Sequence, residues 1–199
     1  MASVYFHNVP SFVLVRDEEV AVPGLGTIRY DIAFGGAFYA YVDVDQVGLE
    51  TRPDDYGALI EQGMAIKNAV MASRPITHPF EEDLSFLYGT IFIGAPHTPE
   101  AHSSNVCIFA EGEVDRCPTG TGVSGRLALH HARGEIAIDQ TIEIESILST
   151  RFKGRVVKTT SFGPHAAIIP AVEGRAWLTG KNEFWIDPDD PLKKGFVFR

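Results

Sequence analysis

Asp115-Arg116-Cys117-Pro118-Thr119-Gly120-Thr121-Gly122-Val123-Ser124-Gly125-Arg126 is the stretch on which the reading of this 199-residue chain turns. It opens with charge, passes a proline whose φ is fixed, and enters small residues that continue as a helix. The first amides of a helix have no internal partner, and glycines let a ligand reach the backbone. The helix dipole adds partial positive charge in the same place. A carboxylate or a phosphate suits such a site. A tight turn capped by Thr119 or Thr121 satisfies the pattern equally well.

The same residues spell G-x-G-x-x-G at Gly120, Gly122 and Gly125, and Asp139 follows 19 positions after Gly120. That is near the spacing of a ribose-binding acid. The dinucleotide reading is rejected, because its fingerprint needs a strand running straight into the glycines within a parallel βαβ unit. Here Asp-Arg-Cys-Pro intervenes, and the flanking segments are expected to be antiparallel.

Working outward, residues 3–48 read as strands. Phe12-Val13-Leu14-Val15 is a short apolar run of the kind a strand buried on both faces shows, and Pro23-Gly24-Leu25-Gly26 is a turn. Gly35-Gly36 interrupts an aromatic run, which marks a bulge or a close backbone approach. A first helix is expected over 53–72, with Thr51 and Asp54 as a capping box and Pro53 at its start. Ala58, Leu59, Gln62, Ala65, Ile66, Ala69 and Val70 form its inner stripe. After a loop at Pro75–Asp83, strands are expected near 86–93 and 105–110. The second helix runs from about Gly120 to His131 and stops at Arg133-Gly134. Strands follow at 140–148, 154–161, 165–173 and 175–187. Strands in blocks with two helices argue an α+β fold with mostly antiparallel pairing.

Composition bounds the partners. Lys+Arg 17 against Asp+Glu 26 leaves a formal net charge of −9. With no basic run, that repels phosphate backbones and argues against nucleic acid. No apolar stretch is long enough for a membrane-spanning helix. The first residues do not read as a secretory signal. Two cysteines, Cys107 and Cys117, are too few for a disulfide framework and point to a reducing, cytoplasmic setting.

The segment from Asp115, Asp-Arg-x-Pro-[Cys/Thr]-Gly-[Thr/Ser]-Gly opening a helix, resembles the C-terminal signature of the proline racemase family. That family comprises proline racemases, 4-hydroxyproline epimerases and trans-3-hydroxy-L-proline dehydratases. The resemblance extends through Asn8-Val9-Pro10-Ser11-Phe12-Val13, Val22-Pro23-Gly24-Leu25-Gly26 and Asp31–Ala40. It continues in His78-Pro79, Asp83–Thr90 and Asp189-Asp190-Pro191-Leu192. It implies a diaminopimelate epimerase-like fold of two lobes, each a sheet or barrel wrapped around a central helix, with substrate in the cleft between them. It also implies chemistry without a cofactor, in which a cysteine from each lobe faces the substrate α-carbon.

Two departures narrow that implication. Thr119 stands where the second cysteine belongs, and a hydroxyl has no accessible anionic state near pH 7. Threonine there resembles the trans-3-hydroxy-L-proline dehydratases, in which one base removes the α-proton and the 3-hydroxyl leaves. The first-lobe Cys-Gly-His motif is absent, so residues 1–199 resemble the second lobe alone. Residues 190–199, with Phe196 and Phe198, are then expected to pack on the missing first lobe.

The resemblance further implies that Gly120 and Thr121 donate amides to the substrate carboxylate and that Asp115 faces the ring nitrogen. Thr119 would hydrogen-bond the leaving hydroxyl or the carboxylate, or simply fill the space of the cysteine. Phe109 would form an aromatic wall. Without the family, the residues favour Asp115 as a helix-start or turn acid bonding local amides and Phe109 as plain core. His78 is a further position of interest. His130-His131 lie in a last helical turn, where cations are favoured. His97 and His102 lack a ligand spacing, and no metal is expected. Ser124 lacks the context of a nucleophile.

The leading reading is the substrate half of a trans-3-hydroxy-L-proline dehydratase acting on a small cyclic amino acid, with a homodimer possible. The alternatives are a proline racemase or 4-hydroxyproline epimerase lobe, and an inactive fragment that only binds ligand.

Overall fold

A computed structural model describes residues 3–196. Ten strands and two helices follow one another as β1 (Val4–His7), β2 (Ser11–Val22), β3 (Gly26–Phe34), β4 (Phe38–Asp43), α1 (Tyr56–Ser73), β5 (Leu87–Gly94), β6 (Ser103–Phe109), β7 (Glu113–Val114), α2 (Gly120–Ala132), β8 (Thr141–Glu145), β9 (Arg151–Phe162) and β10 (His165–Gly174). The fold is α+β, and most strand pairs are antiparallel.

Eight strands close into a barrel in the order β2-β3-β4-β5-β6-β8-β9-β10 and back to β2. Closure rests on a short join, Ala167 opposite Phe12 and Ile168 opposite Ser11. β1 adds to the other end of β10 through Val4–His7. Two pairs are parallel, β4 with β5 and β6 with β8. The strands flanking α2 are therefore parallel over Ser103–Ser104, contrary to the antiparallel expectation. The dinucleotide reading still fails, because β7 and a loop separate β6 from the glycines. The helix also lies inside the barrel instead of on a sheet face.

Every residue of α2 from Gly122 to Leu129 is buried, so the helix is surrounded on all sides. Val123, Leu127 and Ala128 pack on Ile142, Ile144, Val156 and Val172, and Leu129 packs on Tyr41, Ile91 and Cys107. The outer face of the barrel is covered instead by α1, whose Leu59, Ile66 and Val70 meet Phe92, Val106 and Ile108. β6 is thus buried on both faces, with Val106 and Ile108 outward and Asn105 and Cys107 inward. Such strands read as continuous apolar runs.

Several expectations shift. Pro53–Asp55 forms a 3-10 turn and α1 starts at Tyr56 without a side-chain cap. Thr51 does not close a capping box. It sits inside, bonding Ser104 and His97. In the 12–15 run only Phe12 is fully buried, its neighbours lying beside the short join. Residues 175–187 form no strand: the alternation is there, but no strand among the described residues lies alongside to pair with it. That segment is exposed, with Trp177, Leu178, Phe184, Trp185 and Ile186 turned to solvent. Phe196 is 66% exposed, and Phe198 lies outside the described residues. No helix among the described residues is long and apolar enough to cross a membrane.

Candidate active site at the N-terminus of the central helix

The mouth of the barrel brings the N-terminus of α2 beside the ends of β4, β5 and β6. Glycines make this possible. A Cβ at Gly35 would collide with the Thr121 carbonyl oxygen and lie 2.7 Å from the Gly125 nitrogen. Gly36 has φ +116° and lies against the Thr121 methyl. The glycine pair is thus the close approach that the sequence suggested. Asn8 ties the pieces together, its amide donating to the Gly35 carbonyl at 2.9 Å and to Ser124 Oγ at 2.8 Å.

Thr119 is the residue before the helix, and it does not cap it. Its φ of 66° and ψ of 103° are uncommon for a β-branched residue. Its hydroxyl turns away from the helix and donates to Asp115 Oδ2 at 2.6 Å. No side chain among the described residues caps α2, so the amides of Gly120 and Thr121 stay available. Of the two original readings of the glycine stretch, the capped turn is removed. Asp115, Gly120 and Thr121 are half-buried at the mouth and Thr119 is buried just behind them. The loop carrying Asp115 is pinned by the Arg116 carbonyl, which accepts from Ser146 Oγ and Thr150 Oγ1.

Phe109 reaches the same place through a chain of aromatic contacts. It stacks on Tyr88 with centroids 5.4 Å apart, Tyr88 meets Tyr39 edge-on at 5.8 Å, and the Tyr39 hydroxyl bonds Thr121 Oγ1 at 2.8 Å. Tyr39 and Tyr88 were not singled out from the sequence. The available signal was the aromatic run after the glycine pair. Tyr88 turns inward because the register between β4 and β5 slips by one residue there.

Burial keeps the tyrosine and thiol groups at this mouth protonated. Burial, then Cys107, pushes the Tyr39 hydroxyl well above the usual phenol range, while its bond to Thr121 acts the other way. Burial raises the Cys107 thiol far above its ordinary value against the opposing hydrogen bond to Thr119. Burial raises Cys117 as well, offset in part by the Thr119 backbone amide. Both cysteines are free thiols, and neither is a thiolate at neutral pH.

Other candidates fall elsewhere. His78 is buried among Phe34, Phe38, Phe80 and Phe162, and its Nδ1 accepts from the amides of Phe80 and Glu81. It organises its loop and lies away from the mouth. His130 is no helix-end cation: burial and Arg126 lower its pKa to about 4. Among the described residues no group of three or more His, Cys, Asp or Glu is placed to hold a metal ion.

A sequence profile described as proline racemase matches residues 1–197. The chain is 50% identical over 196 residues to a trans-3-hydroxy-L-proline dehydratase of Colwellia psychrerythraea, covering 98% of this chain and 55% of that protein. It is 44% identical to a 3-hydroxyproline 2-epimerase of Burkholderia multivorans, covering 98% of this chain and 58% of the other. The fold superposes on the crystal structure of a hydroxyproline epimerase from Agrobacterium vitis with bound trans-4-hydroxy-L-proline. That match has a TM-score of 0.89 and 35% identity, and covers 98% of this chain and 56% of that one. The chain therefore spans a little over half the length of these relatives. With barrel, central helix and signature all in agreement, the chain belongs to the proline racemase family.

Proposed function

We propose that residues 1–199 form the second lobe of a trans-3-hydroxy-L-proline dehydratase and supply the carboxylate- and amine-binding half of its site. The observation that carries this reading is the Thr119 hydroxyl, committed to Asp115 at the foot of an uncapped helix. A threonine so placed is a hydrogen-bonding group and not a second acid–base, which disfavours the two-base exchange of a racemase or epimerase.

In this reading the Gly120 and Thr121 amides hold the substrate carboxylate with the help of the helix dipole. The free carboxylate oxygen of Asp115 pairs with the secondary ammonium. Phe109 and Tyr88 exclude water from the ring. A base from outside these 199 residues takes the α-proton, the C3–O bond breaks, and the base hands that proton to the departing hydroxyl, which leaves as water. The resulting enamine tautomerises to pyrroline-2-carboxylate. The reaction needs no cofactor, because the carboxylate is already paired when charge develops at the α-carbon. The exposed segment 175–196 is the natural surface for a first lobe, a homodimer remains compatible, and two unpaired thiols suit a cytoplasmic setting.

The test completes the site with the N-terminal portion of the Colwellia psychrerythraea relative and assays two reactions. Conversion of trans-3-hydroxy-L-proline without racemisation of L-proline is expected. Racemisation at a comparable rate would overturn the assignment. Calorimetric titration of the 199-residue chain with trans-3-hydroxy-L-proline separates a binding half-site from an inert piece.

A further inference from the structure

An arginine crosses the barrel interior, and among the described residues no carboxylate forms an ion pair with it. Arg126, in the second turn of α2, is 3% exposed, and burial lowers its pKa to about 10, so it stays charged at neutral pH. Its Nη1 donates to Asn105 Oδ1 at 2.8 Å, and its Nη2 meets His130 Nε2 at 3.1 Å. A guanidinium only donates, so His130 Nε2 accepts and the ring is neutral, with its proton on Nδ1. That proton faces Glu135 Oε2 at 2.5 Å. The hydrogen-bonded route from the guanidinium to Glu135 runs through the imidazole. Burying a cation this way costs stability relative to apolar packing.

The other end of the line explains the arrangement. With Oδ1 occupied by Arg126, the amide nitrogen of Asn105 (1% exposed) faces the Pro118 carbonyl and donates to it at 3.3 Å. The Pro118 carbonyl and the Thr119 N–H belong to one rigid peptide plane. Holding that oxygen therefore sets rotation about the Thr119 N–Cα bond, where φ is 66°. Such a backbone is strained for a β-branched residue and persists only where its surroundings hold it. Two further bonds complete the clamp: Val123 N donates to the Thr119 carbonyl at 2.7 Å, and the Thr119 hydroxyl donates to Asp115.

We propose that Asn105 and Arg126 are positioning residues: the guanidinium orients the Asn105 amide, which fixes the Pro118–Thr119 peptide and so aims the Gly120 and Thr121 amides at the ligand carboxylate. This rests on reading the α2 N-terminus as the carboxylate site. Neither side chain touches the ligand. The pair acts on it through the turn alone.

Asn105→Asp separates this role from simple stabilisation. The new carboxylate pairs with Arg126 and keeps the interior satisfied, yet has no N–H for Pro118. The 199-residue chain and the variant are titrated with trans-3-hydroxy-L-proline by NMR, following the Pro118 carbonyl carbon and the amides of Thr119, Gly120 and Thr121. The expected result is an unchanged or higher melting temperature, displaced resonances at these four residues, and affinity about tenfold weaker. Wild-type resonances and affinity would overturn the proposal. If Asn105→Asp does not fold, the double variant Asn105→Leu/Arg126→Met, which removes donor and charge together, is held to the same two outcomes. If the unaltered chain binds no ligand, the carboxylate-site reading fails. Positioning is then decided by whether the four resonances move.

Discussion

The hydroxyl of Thr119 donates to the carboxylate of Asp115 at 2.6 Å, so this side chain orients an acid. The bond occupies one of the two Asp115 carboxylate oxygens. It also leaves the Thr119 oxygen with lone pairs to offer a ligand but no proton to accept as a base at neutral pH.

Asp115→Asn preserves a partner for Thr119 while removing the charge. Affinity for trans-3-hydroxy-L-proline should fall at least tenfold, in line with ~1.5–3 kcal/mol for a hydrogen bond to a charged group. Melting temperature should change little, since Asp115 is only half-buried. Calorimetry on the same preparation measures both. Undiminished affinity would make Asp115 a turn residue only.

Thr119→Cys replaces the hydroxyl with a group that can carry a proton across the α-carbon. In the two-lobed form completed with the relative's N-terminal portion, dehydration should drop and solvent deuterium should appear at the α-carbon of L-proline. Mass spectrometry and chiral chromatography read both effects. No deuterium gain would show that the surroundings, and not this side chain, select the reaction.

Gly35→Ala tests the close approach that seats the central helix. The added methyl meets the Thr121 carbonyl and lies 2.8 Å from Ser124 Cβ, with backbone on both sides and little room to yield. Overpacking of this kind costs about 1–3 kcal/mol, so a lower denaturant midpoint with an unchanged slope is expected. The Thr121 amide should shift in the same variant. A neutral result would mean that the β3–β4 turn can lift away from α2.

How much of this was legible in the sequence depends on the distance over which each feature is specified. The boundaries of α2 come from local signals, the glycines at its start and Gly134 at φ 71° beyond its end, and they were read to within a residue. Turns at Gly24 and Gly26 were legible for the same reason. Barrel closure was not, since it depends on Phe12 meeting Ala167 across almost the whole chain. Residues 175–187 alternate like a strand, but a strand needs a partner, and periodicity alone does not supply one. In the site, Asp115, Gly120 and Thr121 lie within one contiguous stretch. Tyr39, Tyr88 and Asn105 enter from three separate strands, and only the folded barrel brings them to it.

Acid should destabilise the barrel through the interior line of His130. Burial first, then Arg126, lowers this histidine to about 4, against the Glu135 hydrogen bond and with His102 adding to the depression. Because the folded pKa lies below the unfolded value of about 6.5, the unfolded chain binds more protons between these values. Stability is complete above about pH 6.5 and declines as the pH falls toward 4. His102, lowered by burial and Arg126, and His165, lowered by burial, act with the same sign. The His130 contribution is on the order of 2 kcal/mol. His130→Gln keeps an acceptor for Arg126 and a donor for Glu135 without titrating. Urea denaturation from pH 7.5 to 4.5 should therefore show a shallower pH slope than the unaltered chain, and equal slopes would place the acid sensitivity elsewhere.

Both tryptophans of the chain, Trp177 and Trp185, lie in the exposed segment that follows β10, at 63% and 88% exposure. Indole emission in the native chain should therefore be red-shifted and open to acrylamide. It should hardly change when urea unfolds the barrel, although circular dichroism registers the transition. A monomeric domain does not ordinarily expose so many large apolar groups together. Adding the N-terminal portion of the Colwellia psychrerythraea relative should bury at least one indole, shifting emission to the blue and reducing quenching. Concentrating the chain alone discriminates the other occupant. A blue shift that grows with protein concentration and needs no second polypeptide would assign this surface to a second copy of the chain.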